Sequence, residues 1–400
     1  MHAYGLELVR KLPLAVSGPS LQSRMKLTVV QHSVGSGWAT PVPSSWDSAS
    51  TLALAFGGSH YQEHPEAIFD VVKALPTSVI LGCSTAGEIL GTRVQDDTLV
   101  VTLVQFEKST LRTAAVPITV DSSFAAGQSL AQALLHPELR AVFVLSEGLD
   151  VNGSQLVRGL NSVFGSDVLV SGGLAGDGAR FERTWVVSGG GAVSGQATAV
   201  GLYGDSLKIG SGSKGGWEIF GPERLITRSE HNVLFELDGA PALPLYKRYL
   251  AERAAGLPAT ALLFPLAIRE PARGEGQIVR TVLAVDESTG SLRFAGDMPE
   301  GYRAQLMHAN CDRLVGGAAD AALLASGQCG SPSLSIAISC VGRRLVLRDR
   351  VEEELEATLE GVAKGTLQVG FYSYGEISPL SSGRCDLHNQ TMTLTTVSES

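Results

Sequence analysis

One short motif recurs three times in this chain and limits its fold more than any other feature. Leu81-Gly82-Cys83-Ser84-Thr85-Ala86-Gly87-Glu88-Ile89 follows a helical pattern and ends an apolar run. Val170-Ser171-Gly172-Gly173-Leu174-Ala175-Gly176-Asp177 is a variant of it. Val369-Gly370-Phe371-Tyr372-Ser373-Tyr374-Gly375-Glu376-Ile377 is a third copy. In each, a glycine beside an acid closes a strand-like segment, and another apolar run follows. Repetition of a unit at this scale is a property of the fold and is read before anything local.

The flanking patterns repeat as well. Residues 51–56 form an apolar run. Residues 65–75 place Ile68, Val71, Val72 and Leu75 at helical spacing, with Pro65 suited to a first turn. Residues 78–81 then deliver the first motif, so the order is strand, helix, strand, of a length that suits a right-handed βαβ unit. The same order leads through 141–145, 155–164 and 168–170 into the second motif. Residues 334–340, 351–363 and 367–369 lead into the third. Residues 97–106 and 111–118 read as antiparallel strands, 183–188 and 198–203 as strands after the second motif, and 391–397 as a closing strand.

Between the second and third motifs, 210–216 is rich in Gly and Ser and marks a passage between halves. Residues 262–268 read as a strand, and 277–285 with 290–294 as a hairpin. Phe294-Ala295-Gly296-Asp297 imitates the motif but follows a hairpin, so it is not counted as a copy. The fold class predicted is α/β, with two related halves built from repeated βαβ units and added antiparallel strands.

The 400 residues, 44% of them hydrophobic, can bury more than one core, and about two domains suit this length. A net charge of −9 argues against nucleic acid as the main partner, because phosphate contact needs a basic face. The five cysteines form no C-x-x-C pair, which speaks against a disulfide framework, a closed structural zinc site and a covalently attached haem, and fits a reducing cytoplasm. No apolar run is long enough to span a bilayer. Residues 1–24 read as a poorly ordered leader.

In open parallel sheets, ligands sit outside the carboxyl ends of the strands. All three motifs fall at such ends, as do Gly58-Ser59-His60, Ser146-Glu147-Gly148 and Cys340-Val341-Gly342. Glycines there let a ligand approach the backbone, and short polar groups supply directed hydrogen bonds. The competing reading makes Gly-Asp/Glu a turn device whose acid accepts nearby amides. Enzyme chemistry has little support. Cys83 would need a histidine base and an orienting group, and the paired acids Glu88 and Glu376 are expected in duplicated domains without chemistry. P-loop, H-E-x-x-H and G-x-G-x-x-G patterns are missing where they would be needed. Among eight histidines, His60 has the best position, at a strand end.

The three motifs, together with His388-Asn389-Gln390-Thr391, resemble the signature of the FIST domain from about residue 25 to the end. The resemblance implies a FIST N-terminal domain over 25–210 and a FIST C-terminal domain over 211–400. It also implies a sensory, non-enzymatic protein of bacterial signalling that binds a small ligand in the cytoplasm. Stand-alone bacterial members of similar length are nitric-oxide sensors that bind haem, regulate a histidine kinase and influence biofilm behaviour. On that likeness the expected cofactor is b-type haem, with His60 on the iron and His388 and His64 next. The expected ligand-binding residues are Cys83, Ser84, Thr85, Glu88, Asp177, Tyr372, Tyr374, Glu376 and Asn389. An alternative is a haem-free sensor of an amino acid or similar metabolite, with Glu88, Asp177 and Glu376 receiving an amine. A hydrolase using Cys83 or Ser84 is the third reading.

Overall fold

Three parallel strand pairs organise the chain, each joined by a helical crossover. The computed structural model describes residues 25–271, 277–327, 333–379 and 383–400; the expected leader and Cys329 lie outside them. Thr51–Gly57 and Val79–Ser84 are joined through the helix Glu66–Ala74. Leu139–Ser146 and Leu169–Leu174 are joined through Gly153–Asn161. Leu334–Cys340 and Leu367–Ser373 are joined through Val341–Leu347 and Val351–Glu360. Each pair takes an antiparallel strand beside its first member: Thr98–Gln105, Gln196–Tyr203 and Met392–Glu399. The α/β class therefore stands as expected, and the repeat is threefold, one unit per motif.

The alternation of side chains explains how the sheets assemble. Leu52, Leu54 and Phe56 point to one face, where they join Phe143, Leu145, Ile336, Ile338 and Phe371 in a core shared by all three sheets. Ala53 and Ala55 point to the other face and meet Ile68 and Val71 of the covering helix. With both faces covered, these strands are apolar throughout, as parallel strands are.

The motif glycines have a common cause. Gly82, Gly172 and Gly370 lie opposite Ala55, Val144 and Ala337 in the parallel registers. A Cβ on each would stand 2.2, 1.9 and 1.7 Å from the carbonyl oxygen of that partner. Only glycine fits such an approach, and at Gly172 and Gly370 the φ angles of +146° and +158° favour it as well.

After each motif the chain leaves its own sheet. The hairpin Glu88–Leu90 and Arg93–Gln95 adds to Leu367–Ser373 in the third sheet. Val186–Ser188 and Gly191–Val193 add to Val79–Ser84 in the first. Gly375–Pro379 and Cys385–His388 add to Leu169–Leu174 in the second. The three units thus exchange hairpins in a closed cycle. Three backbone bonds repeat the cycle: Ala86 N–H to Tyr372 O (2.8 Å), Gly176 N–H to Ser84 O (3.0 Å) and Tyr374 N–H to Leu174 O (3.3 Å).

A fourth, antiparallel sheet is inserted between the strand Leu207–Lys214 and the helix Cys311–Ser326. It has its own core around Leu234, Leu243, Phe264 and Leu292. Several local expectations change in this part of the chain. The Gly/Ser segment at 210–216 is mostly the strand Leu207–Lys214, because Met392–Glu399 offers it an edge along its whole length. The strand expected at 262–268 is only Leu266–Arg269, preceded by a 3-10 turn. The strand expected over 277–285 breaks at Thr281 into Gln277–Arg280 and Val282–Asp286, which pair with different neighbours. Thr98–Gln105 and Thr110–Pro117 are strands, as expected, but belong to different sheets. The Glu399 carboxylate holds the crossing between them by accepting from the backbone of Glu107, Lys108 and Ser109.

The fourth sheet is tied to the three-unit body by polar contacts. Asn152 and Gln155 donate to the Asp297 carboxylate. Buried Arg280 donates to Leu387 O at 2.8 Å, and Trp217 Nε1 to Gln390 O at 2.8 Å.

Candidate ligand cleft

A cleft of about 830 Å³ opens where the fourth sheet faces the carboxyl ends of the second and third units. Gly148 and Leu174 line it from the second unit, and Cys340, Val341 and Gly342 from the third. Thr281, Arg293 and Phe294 line it from the fourth sheet. This volume suits a small organic ligand.

The wall nearest the second motif is built around Asp177. Its carboxylate accepts from the backbone N–H of Phe181, Glu182 and Arg183 at 2.9, 2.9 and 3.0 Å, and from the Tyr374 hydroxyl. Burial acts to raise this carboxyl, but the hydroxyl and the three amides outweigh it and hold it below the usual range. The clasp keeps Phe181 at a φ of +56°, unusual for an aromatic residue. The Phe181 ring stacks on Tyr374, with centroids 4.5 Å apart and planes at 14°, yet 44% of the residue stays exposed. Both residues line the cleft.

Asn389 is fully buried in the same lining, and among the described residues neither its Nδ2 nor its Oδ1 has a hydrogen-bond partner. The Thr281 hydroxyl, on the opposite side at the break in the fourth sheet, is likewise buried without a partner. Val120, Phe124, Leu149 and Leu283 add exposed apolar surface around these polar groups.

The other expected residues stand elsewhere. Cys83 is sealed in the central core, and burial pushes its thiol up. Ser84 Oγ accepts from the Trp185 N–H at 3.0 Å. Tyr372 is buried in the third unit, donating to Glu354 at 2.6 Å, where Arg343 also pairs with Glu354.

Glu88 and Glu376 are matched turn acids. Glu88 accepts from the Thr85 hydroxyl and from the Thr98 hydroxyl and amide. Glu376 accepts from the Ser373 hydroxyl and from the Thr391 hydroxyl and amide. The second unit reaches the same end with Glu147, which accepts from Thr184 and Gly195. Each acid clamps the start of its unit's antiparallel strand. Burial pushes Glu88 up to about 7 and Glu376 up to about 8 despite these donors. Asp177, with four donors, has no acceptor site left for an amine, and Glu88 and Glu376, each holding three donors as turn clamps, do not line the cleft.

The three histidines expected for haem are not brought together. His60 lies at the first unit's strand end, with Nδ1 3.6 Å from Asp97 and a side chain 25% exposed. The hollow beside it is lined by Gly58, Thr85, Glu88, Asp96, Asp97, Gly178 and Arg180, with no aliphatic side chain. Three carboxyls and no apolar wall do not fit a porphyrin carrying its own carboxylates. His64 is exposed. His388 is buried, with Nε2 3.3 Å from Ser378 O, and faces a different, polar hollow beside Lys214, Asp312 and Arg313. Tyr374 and Asn389 are thus the expected residues that line the cleft, with Asp177 directly behind. Phe181 and Thr281 were not readable in advance. An exposed aromatic in a Gly- and Arg-rich loop carries no periodic signal, and Arg280-Thr281 sits within a β-prone stretch with no Gly or Pro to mark the break.

Two domain comparisons agree with this architecture. A FIST N domain matches residues 51–240, and a FIST C domain matches residues 242–379. The chain belongs to the FIST family, whose domains are associated with signal-transduction sensing of small ligands. No curated protein matches it. Among the described residues, no helix is long and apolar enough to cross a membrane.

Proposed function

We propose that this chain is a signal-transduction sensor whose small ligand occupies the cleft between the fourth sheet and the second and third units. The observation that carries this reading is Asn389, fully buried in the cleft lining with both polar atoms unbonded among the described residues. A buried amide without partners costs free energy. A ligand of matching polarity would supply the missing bonds. Thermal denaturation against a metabolite panel tests it, because a compound that binds only the folded chain raises Tm. Asn389→Leu, close in volume and apolar, should keep the fold and lose the shift. A panel that shifts both proteins equally sinks the reading.

A second reading follows from the family resemblance: b-type haem binding nitric oxide. The cleft has the volume and apolar rim for it, and His231 is the histidine in its wall. A Soret band that moves with nitric oxide and weakens in His231→Ala would favour it. In both readings the output is contact with a histidine kinase. An autophosphorylation rate that this protein leaves unchanged, with and without ligand, would reject that output.

A further inference from the structure

From the geometry of the cleft we infer that its ligand is a planar nitrogen heterocycle, a nucleobase or nucleoside, stacked against Phe181 and read along its edge by Asn389. The inference rests on the reading that the cleft is the sensor's ligand site. Two independent features select this class.

The first is the amide. A carboxamide presents one acceptor and one donor group side by side, and both are unbonded on Asn389. Heterocycles carry the complementary pair on their edges, a ring nitrogen or carbonyl beside an N–H, and the bidentate match of Asn to adenine is the familiar case. A carboxylate alone would satisfy only the Nδ2 side and an ammonium alone only the Oδ1 side; an amino acid carries both, and it is the exposed ring of Phe181 that favours a flat ligand over it. The unpaired Thr281 hydroxyl, which both donates and accepts, can serve a second edge position.

The second is the aromatic platform. Phe181 is 44% exposed, although the backbone conformation that displays it is unusual for its type. Four hydrogen bonds into Asp177 and the Tyr374 ring behind it hold that arrangement. Backbone outliers kept by such over-determination cluster at ligand sites. An exposed ring of this kind is a stacking surface for unpaired bases. The exposed charges in the cleft lining, Asp121 and Glu230 against Arg293, leave no surplus of positive charge to hold a phosphate. That points to a neutral base or nucleoside and away from a nucleotide.

Equilibrium dialysis with adenine, adenosine, guanosine and uridine tests it on the full chain, with circular dichroism as a fold check. At least one probe should bind saturably and raise Tm. Asn389→Leu and Phe181→Ala should each weaken that probe about tenfold or more, and methylation of the probe's hydrogen-bonding edge should do the same. If Asn389→Leu does not fold, Asn389→Asp and Thr281→Val carry the same comparison. The inference is overturned if no probe binds while a non-planar metabolite gives a Tm shift that Asn389→Leu removes; the cleft reading then survives. Probe binding that ignores both substitutions also overturns it. If no compound of any class responds to Asn389→Leu, both readings fall.

Discussion

The Tyr374 hydroxyl donates to the Asp177 carboxylate across a sequence separation of 197 residues, binding the third copy of the motif to the second. Tyr374→Phe would keep the stack on Phe181 and remove one donor to an ionised acceptor. Such bonds are worth roughly 1.5–3 kcal/mol. Urea unfolding should show a loss in that range, and the amides of Phe181 and Glu182 should exchange faster. Unchanged exchange would mean that the backbone donors alone hold Asp177.

Two glycine substitutions should act in opposite directions. Gly370→Ala would set a Cβ 1.7 Å from Ala337 O, so the parallel pair must open. A loss above about 4 kcal/mol is expected, enough to abolish soluble protein. Gly316 sits on the exposed face of the helix Cys311–Ser326, and a Cβ there would meet nothing within 4 Å. Gly316→Ala should stabilise by roughly 0.8–1 kcal/mol. Equal effects at the two sites would refute the close-approach argument.

Stability should fall with alkalinity. Glu88 and Glu376 rise from 4.5 to about 7 and about 8 on folding, so between these values the folded chain holds more protons than the unfolded one. Their contribution is complete below pH 4.5 and is lost as pH rises through 7 and 8, by up to about 1.4 kcal/mol per pH unit for each group. Asp177 and Glu399, both held low, act in the opposite sense and lose their contribution in acid. Melting temperatures should therefore drop between about pH 6 and 8, above which both carboxyls are ionised in the folded and the unfolded chain alike, and Glu376→Gln should flatten that slope. A slope identical in the variant would show that Glu376 does not titrate there.

Arg343 and Glu354 are both fully buried, with Nη2 2.7 Å and Nε 3.0 Å from Oε2. Arg343→Met would leave a buried carboxylate with only the Ser339 and Tyr372 hydroxyls. Calorimetry should record a loss of about 3–5 kcal/mol. Adding Glu354→Leu should recover part of it, because the orphaned charge is then gone. No recovery would indicate that the pair matters through packing.

Much of this was readable from the chain, for specific reasons. Gly82, Gly172 and Gly370 mark the repeat because each faces a carbonyl oxygen too close for any Cβ, so residue type and position recur together. Tyr374 could be singled out because it lies in the third motif at a strand end, and Asn389 because His388-Asn389-Gln390-Thr391 resembles the FIST signature. The destination of each hairpin could not. Glu88–Leu90 and Val186–Ser188 are three residues long, and such strands carry no pattern naming a partner in another unit. His60 satisfies the strand-end rule as well as Tyr374 does. What separates them is the neighbourhood, Asp96 and Asp97 in one case and Phe181 in the other, and that is set by the fold.

The closed hairpin cycle has a consequence for how the protein is made. Leu169–Leu174 waits for Gly375–Pro379 to cover its edge, so about 200 residues must be synthesised in between. At about 5–20 residues per second the nascent chain carries an open, apolar parallel strand for about 10–40 s. Such an edge is a template for pairing with another chain. On the ribosome, this protein should be a client of holding chaperones until its last quarter emerges.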